Sequence, residues 1–265
     1  MVLRVNNLSI SFGGLKAVSG FTLDLAQGEL VGLIGPNGSG KTTIFNMLTG
    51  IYSPMEGEIV FSSNSHGVEK LRNIVGVKPY KISELGIART FQNIRLFKDL
   101  TILDNVRIAL HYNVRYNSLD AIFRTGRYYR EEAEIHDRTM KLLKIFDIHH
   151  RSGTLAKNLP YGEQRKLEIA RALATGPRLL LLDEPAAGMN PIETRSLMRL
   201  IEFIKREFDL TILLIEHDMD LVMQICKRII VLDFGEIIAE GGPAEVSRDP
   251  AVIEAYLGEE IPADA

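Results

Sequence analysis

The stretch that most constrains this chain is Gly35-Pro36-Asn37-Gly38-Ser39-Gly40-Lys41-Thr42. It sits between the apolar run Leu30–Ile34 and residues 43–48, which read as a helix. This is the pattern G-x-x-x-x-G-K-[ST] in its required setting of strand, loop and helix. The glycines allow a tight turn that aims backbone N–H groups into one concavity, and the helix N-terminus adds its positive end. Gly35, Pro36, Asn37, Gly38, Ser39 and Gly40, with Thr43 beyond them, are therefore expected to cradle phosphates. Lys41 supplies a point charge for the outer phosphates, and the Thr42 hydroxyl is placed to ligate Mg²⁺. With glycine near 7% of residues, chance produces the pattern in on the order of one chain in a hundred.

Length and charge narrow the setting. A chain of 265 residues is one large domain or two lobes. Its 31 basic and 34 acidic residues give a net charge of −3, which is no electrostatic footprint for nucleic acid. Cys226 is the single cysteine and reads as a small core hydrophobe. Residues 1–6 do not have the form of a signal peptide, and no run approaches the ~18 apolar residues of a membrane span. A cytoplasmic location is expected, with any membrane role supplied by a partner.

Along the chain the period changes twice. Leu8, Ile10 and Phe12 alternate on one face, as a half-buried strand requires, and Gly13-Gly14 ends the run. Residues 21–25 and 57–61 read as further strands, and residues 62–81 as a surface excursion. After Thr90 the pattern turns helical. Thr101-Ile102-Leu103-Asp104 has capping-box form. Ile135, Thr139, Leu142, Leu143 and Phe146 recur at helical spacing, so a mostly helical lobe is expected over about 90–160. Tyr112, Tyr116, Tyr128 and Tyr129 interleave with arginines there, but acidic residues are mixed in and a helical surface accounts for them. His149-His150 reads as a solvated helix end, since no partner ligands are spaced nearby.

From residue 163 onward, strands alternate with helices. Leu167, Ala170 and Leu173 share a helical face. The leucines at 179–182 mark a strand buried on both faces. Asn190-Pro191 has the form of a helix start, and Leu197, Leu200, Ile201, Ile204 and Phe208 form the stripe that follows. Residues 211–215 and 229–232 read as two more buried strands. The alternation predicts a parallel α/β sheet. Residues 258–265 read as a loosely ordered tail.

In such sheets ligands sit beyond the carboxyl ends of the strands. The 179–182 strand ends in Asp183-Glu184. An acid there, beside a phosphate loop, is a Mg²⁺ carboxylate, direct or through water, and Asp183 takes that role. Glu184 is placed as general base for water, help worth about 10²–10⁴ in rate. His217 ends a third strand and is expected to contact the γ-phosphate.

These motifs resemble, in order, the Walker A, Q-loop, Walker B and switch-histidine motifs of an ABC ATPase: residues 35–42, Gln92, 179–185 and His217. Residues 159–164, Leu-Pro-Tyr-Gly-Glu-Gln, fill the place of the signature motif. The likeness covers nearly the whole chain. Residues 86–93, 161–171 and 186–191 are similar to the ATPases of branched-chain amino acid importers, and less closely to lipopolysaccharide-export ATPases. The resemblance implies a P-loop NTPase core of the α/β class. Its sheet would be mostly parallel, with an N-terminal antiparallel β subdomain and an inserted helical subdomain. The core would occupy 1–89 and 163–245, the helical part 90–162, and a C-terminal helix and tail 246–265. Phe12 would stack on adenine, with Val18 beside it. Lys41, Glu184 and His217 would act in hydrolysis, and Thr42, Gln92 and Asp183 on Mg²⁺. Tyr161, Gly162 and Glu163 would close over ATP held by a second ATPase subunit, so a homo- or heterodimer is implied. The other implied partners are transmembrane permease subunits and, indirectly, a periplasmic or extracellular solute-binding protein, with the ATPase peripheral at the cytoplasmic face of the inner membrane.

The chain departs from the family pattern in two places, the signature motif and the residue before Pro191. Pro160 stands where serine is usual, with Tyr161 in place of glycine. Asn190 stands where aspartate is frequent, and its cap role before Pro191 accounts for it. The rival readings are a lipopolysaccharide or lipid exporter ATPase, and a soluble ABC ATPase acting on nucleic acid. A single cassette with no heptad run and no basic face disfavours the second. A GTPase is disfavoured by the absence of an Asn-Lys-x-Asp motif.

Overall fold

The computed structural model describes residues 1–65, 68–111, 114 and 116–257. The N-terminal strands β1 (Leu3–Phe12) and β2 (Leu15–Leu25) form a hairpin closed by Gly13-Gly14, both at positive φ. β3 (Leu30–Ile34) runs into the phosphate loop and α1 (Lys41–Leu48). β4 (Glu56–Ser65), β5 (Val68–Asn73), α2 (Pro79–Leu85) and the short β6 (Ile87–Arg89) follow. Three helices come next: α3 (Ile102–Leu110), α4 (Ser118–Phe123) and α5 (Gly126–Ile145). The chain then alternates through α6 (Tyr161–Ala174), β7 (Leu179–Asp183), α7 (Pro191–Glu207), β8 (Thr211–Ile215), α8 (Met219–Ile225), β9 (Arg228–Asp233) and β10 (Glu236–Gly241). Two C-terminal helices, α9 (Pro243–Val246) and α10 (Pro250–Leu257), complete it.

Two sheets result. One is antiparallel, in the order β2-β1-β4-β5. The other runs β10-β9-β3-β8-β7-β6, parallel except for the edge strand β10. Every residue of β3, β7 and β8 is buried, as continuous apolar runs in parallel sheets predict. The two-residue period divides β7 between two cores. Leu179 and Leu181 join the antiparallel sheet and α1, while Leu180 and Leu182 pack among residues of α6, α7 and α8. Each fully buried leucine contributes about 1.5–3 kcal/mol.

Several expectations are corrected. The alternation of β1 holds for Leu8 and Ile10 but fails at Phe12, which is 45% exposed. Register shifts between Leu8, Ile10 and Ser11 rotate the strand end outward. Within 62–81 the chain is built into the fold: β4 continues to Ser65, β5 pairs with it, and Ser62, Ser63 and Ile74 are buried. The buried serines are accommodated because Ser62 accepts from Arg178 through its carbonyl and hydroxyl oxygens. His66 and Gly67 lie outside the described residues, as do Tyr112 and the tail from 258. In α7 the stripe ends early: Leu197, Ile201 and Ile204 are buried, but Phe208, at the C-cap, is exposed. Asn190 does cap α7, its Oδ1 accepting the N–H groups of Ile192 and Glu193. Thr101 caps α3 by accepting from Asp104 N–H, and its hydroxyl in turn donates to the Asp104 carboxylate.

Candidate nucleotide and hydrolysis site

The phosphate loop is shaped by close backbone approach. A Cβ on Gly35 would lie 1.9 Å from Leu232 O, and one on Gly40 would lie 2.6 Å from Ala17 O. Both glycines have positive φ, so a side chain fails at each on two counts. Lys41 opens α1 and is buried, with Nζ donating to Gly35 O and Pro36 O at 2.7 Å. An ammonium held by two carbonyls at the mouth of a helix N-terminus is chemistry suited to a polyanion. Thr42 is exposed on the same first turn. Phe12 lies edge-on to Tyr52 at 5.1 Å, its ring open to solvent as stacking on a flat ligand requires. Val18 is fully buried and backs Gly40.

The strand ends bring the acids together. Asp183 closes β7 opposite Ile215 of β8, and Glu184 N–H donates to Ile215 O. Glu184 takes the left-handed region, φ 47°, uncommon for a residue with a side chain. Its carboxylate is met from two sides. Gln92 Nε2 donates to Oε2 at 2.7 Å, and His217 Nδ1 lies 3.3 Å from Oε1. Gln92, Glu184 and His217, chosen from separate segments of the sequence, thus converge. With its amide nitrogen spent on Glu184, Gln92 has its carbonyl oxygen available. That oxygen, the Thr42 hydroxyl and the Asp183 carboxylate are hard-oxygen donors of the kind Mg²⁺ takes.

The signature residues open α6. Pro160 is its N-cap, with no side-chain cap bond. Gly162 packs close to Met189 and Glu193, and Gly188 lies beneath the Tyr161 ring. Glu163 pairs with Arg151 at 3.3 Å. Tyr161 remains exposed.

Sequence reasoning missed four buried charged groups that organise this site. Arg89 pairs with Asp183. Arg165, fully buried in α6, donates to the backbone carbonyls of Phe91 and Gln92 at 2.6 and 2.8 Å and pairs with Glu168. Glu216 is 1% exposed and accepts from Ala186 N–H at 2.8 Å. Burial pushes its carboxyl up to about 7, helped by the nearby charge of Glu184. In sequence each reads as an ordinary charged residue, because its partners come from distant segments and no local period separates a buried charge from a solvated one. The His149-His150 reading also needs amendment. Asp147 joins them, the three offering ligand atoms within 4.8 Å of one another, with Asp147 and His150 exposed.

A phosphate loop, an adjacent strand-end acid pair and an inserted helical segment on a parallel sheet define a P-loop ATPase of the ATP-binding-cassette type. The ABC transporter family pattern matches residues 18–187, and the chain belongs to that family. A second pattern, that of the branched-chain amino acid ATP-binding cassette transporter, matches residues 236–261. The chain is 43% identical over 258 residues to the high-affinity branched-chain amino acid transport ATP-binding protein LivG of Salmonella typhimurium, covering 97% of this chain and 98% of that one. Identity and coverage are the same for the corresponding protein BraF of Pseudomonas aeruginosa. Among solved structures, the ADP conformation of MJ1267, an ATP-binding cassette of an ABC transporter, superposes with a TM-score of 0.80. It is 31% identical, over 97% of this chain and 98% of that one. The chain is thus a nucleotide-binding ATPase, and no helix of its described residues is long and apolar enough to cross a membrane.

Proposed function

We propose that this ATPase powers an importer of branched-chain amino acids, with Mg²⁺ as its metal. The observation that carries the hydrolytic part is the convergence of Gln92 and His217 on the Glu184 carboxylate. Glu184 takes the proton of the attacking water, and His217 and Lys41 stabilise charge on the γ-phosphate. Thr42, Asp183 and Gln92 would hold Mg²⁺, which would supply neutralisation of phosphate charge. Phe12 stacks on the base. Tyr161, Gly162 and Glu163 act in trans on nucleotide held by a second ATPase subunit.

A groove of about 600 Å³ runs along α3, α6 and the Phe91–Phe97 stretch, lined by Ile51, Ile82, Phe91, Leu96, Phe97 and Ile108 among others. Its apolar walls suit a short helix from a transmembrane permease, which would hold this subunit peripherally at the cytoplasmic face. The cargo assignment rests on the names of the relatives.

The test is amino acid uptake by cells whose chromosomal copy carries Glu184→Gln. Uptake of leucine, isoleucine and valine is expected to collapse while unrelated solutes enter normally. Untouched uptake of all three would remove the cargo assignment.

A further inference from the structure

Arg89 ends β6 as a cation with almost no contact with water: its side chain is 5% exposed, and that of its partner Asp183 is 3%. Taking such a pair out of water costs several kcal/mol per ion, and packed apolar residues would serve stability as well or better. The arrangement around the guanidinium is specific. One terminal nitrogen donates to Asp183 Oδ2 at 2.7 Å. The other donates to Asn46 Oδ1 at 2.7 Å and reaches Thr49 Oγ1 at 3.4 Å. The group lies against the rings of Phe45 and Phe91, 5.4 and 5.0 Å from their centroids.

Asn46 is on α1, one turn beyond Thr42 and on the same face. Asp183 is the last residue of β7. A single rigid fork therefore ties together the two elements that carry Thr42 and Asp183. It also occupies Oδ2 of the carboxylate, so that the bond fixes the rotation of the group. Among charged side chains, the planar guanidinium is the one that fixes two acceptors in one plane.

We propose that Arg89 is a positioning residue for the metal step of ATP hydrolysis, orienting Asp183 toward Mg²⁺ at a set distance from Thr42. The proposal rests on the reading of Asp183 as a Mg²⁺ ligand. Outer-shell partners of metal ligands typically contribute about 10–100-fold to metal affinity.

The test uses the full chain and the fluorescence of a mant-labelled, non-hydrolysable ATP analogue, titrated in Mg²⁺ and in EDTA. The proteins are the wild type, Arg89→Gln, Arg89→Lys and Asp183→Asn. Arg89→Gln is expected to cut the gain in affinity that Mg²⁺ confers about tenfold, with the EDTA affinity unchanged. Arg89→Lys keeps the charge without the fork and is expected to lose about threefold. Asp183→Asn is expected to lose the gain; if it keeps the gain, the reading of Asp183 itself fails. If Asp183→Asn loses the gain and Arg89→Gln does not, only the role of Arg89 is overturned. A larger gain in Arg89→Gln also overturns it, since Arg89 would then compete with the metal. Should Arg89→Gln not fold, Arg89→Lys carries the test, and a gain equal to wild type overturns the proposal.

Discussion

The Gln92 side-chain amide donates to Glu184 Oε2 at 2.7 Å across 92 positions of sequence. The backbone carbonyl of the same Gln92 accepts from Arg165, in the helix that begins at the signature residues. One residue thus connects the acid beyond β7 to the start of α6. Gln92→Ala removes a hydrogen bond to a charged acceptor, worth about 1.5–3 kcal/mol. ATP turnover is expected to fall about tenfold or more, with nucleotide affinity in EDTA unchanged. Steady-state kinetics beside equilibrium binding checks this, and an unaltered kcat would show that the bond does no catalytic service.

Pro160 caps α6 at φ −54° and ψ 152°, angles open to serine, yet offers no cap bond. Pro160→Ser restores a hydroxyl at the helix mouth. As an N-cap it stabilises the helix by about 0.5–2 kcal/mol. As a donor to a charged acceptor in trans it is worth about 1.5–3 kcal/mol. Thermal melting is expected to rise, and ATP-driven dimerisation to tighten, measured by sedimentation in a Glu184→Gln background. A dimer affinity equal to that of the parent would remove the account of Pro160 as a weakened signature.

Glu216 carries a pH signature. Its carboxyl is raised from the ordinary 4.5 to about 7, chiefly by burial. In acid both the folded and the unfolded chain hold the proton, and there is no penalty. As pH rises between these two values the unfolded chain releases its proton first, and stability is lost. Above about pH 7 the loss is complete, at about 3 kcal/mol. Glu216→Gln keeps an oxygen to accept from Ala186 N–H and cannot ionise. Its melting temperature is expected to exceed the parent's at about pH 8 and to equal it at about pH 4.5. A gain of the same size at both pH values would place the effect elsewhere than in ionisation.

Much of the fold was legible because its signals are local. The leucines of β7 and the alternation of strand with helix are short-range patterns, and they returned as a parallel sheet with its central strands buried. Asn190 before Pro191 announced a helix, and its side chain makes both cap bonds. Where the local pattern misled, pairing with another strand or side chain had intervened. Phe12 turns outward because β1 shifts register against β2. The serines at 62 and 63 are buried because β5 and Arg178 cover them.

The site divides the same way. Residues 35–42, the acids at the end of β7 and His217 after β8 were visible as residue types at strand ends, since chain direction alone places those ends on one edge of a parallel sheet. What the sequence by itself determined was therefore the phosphate loop, the acids and the order in which strands deliver them. The tertiary structure alone decided that Arg89 reaches Asp183 across 94 positions and Arg165 reaches the Gln92 carbonyl across 73, and that Glu216 is sealed from water. The reason is physical: a charge reads as solvated wherever it stands in a sequence, and only packing from distant segments removes the water and sets its partner within hydrogen-bond reach.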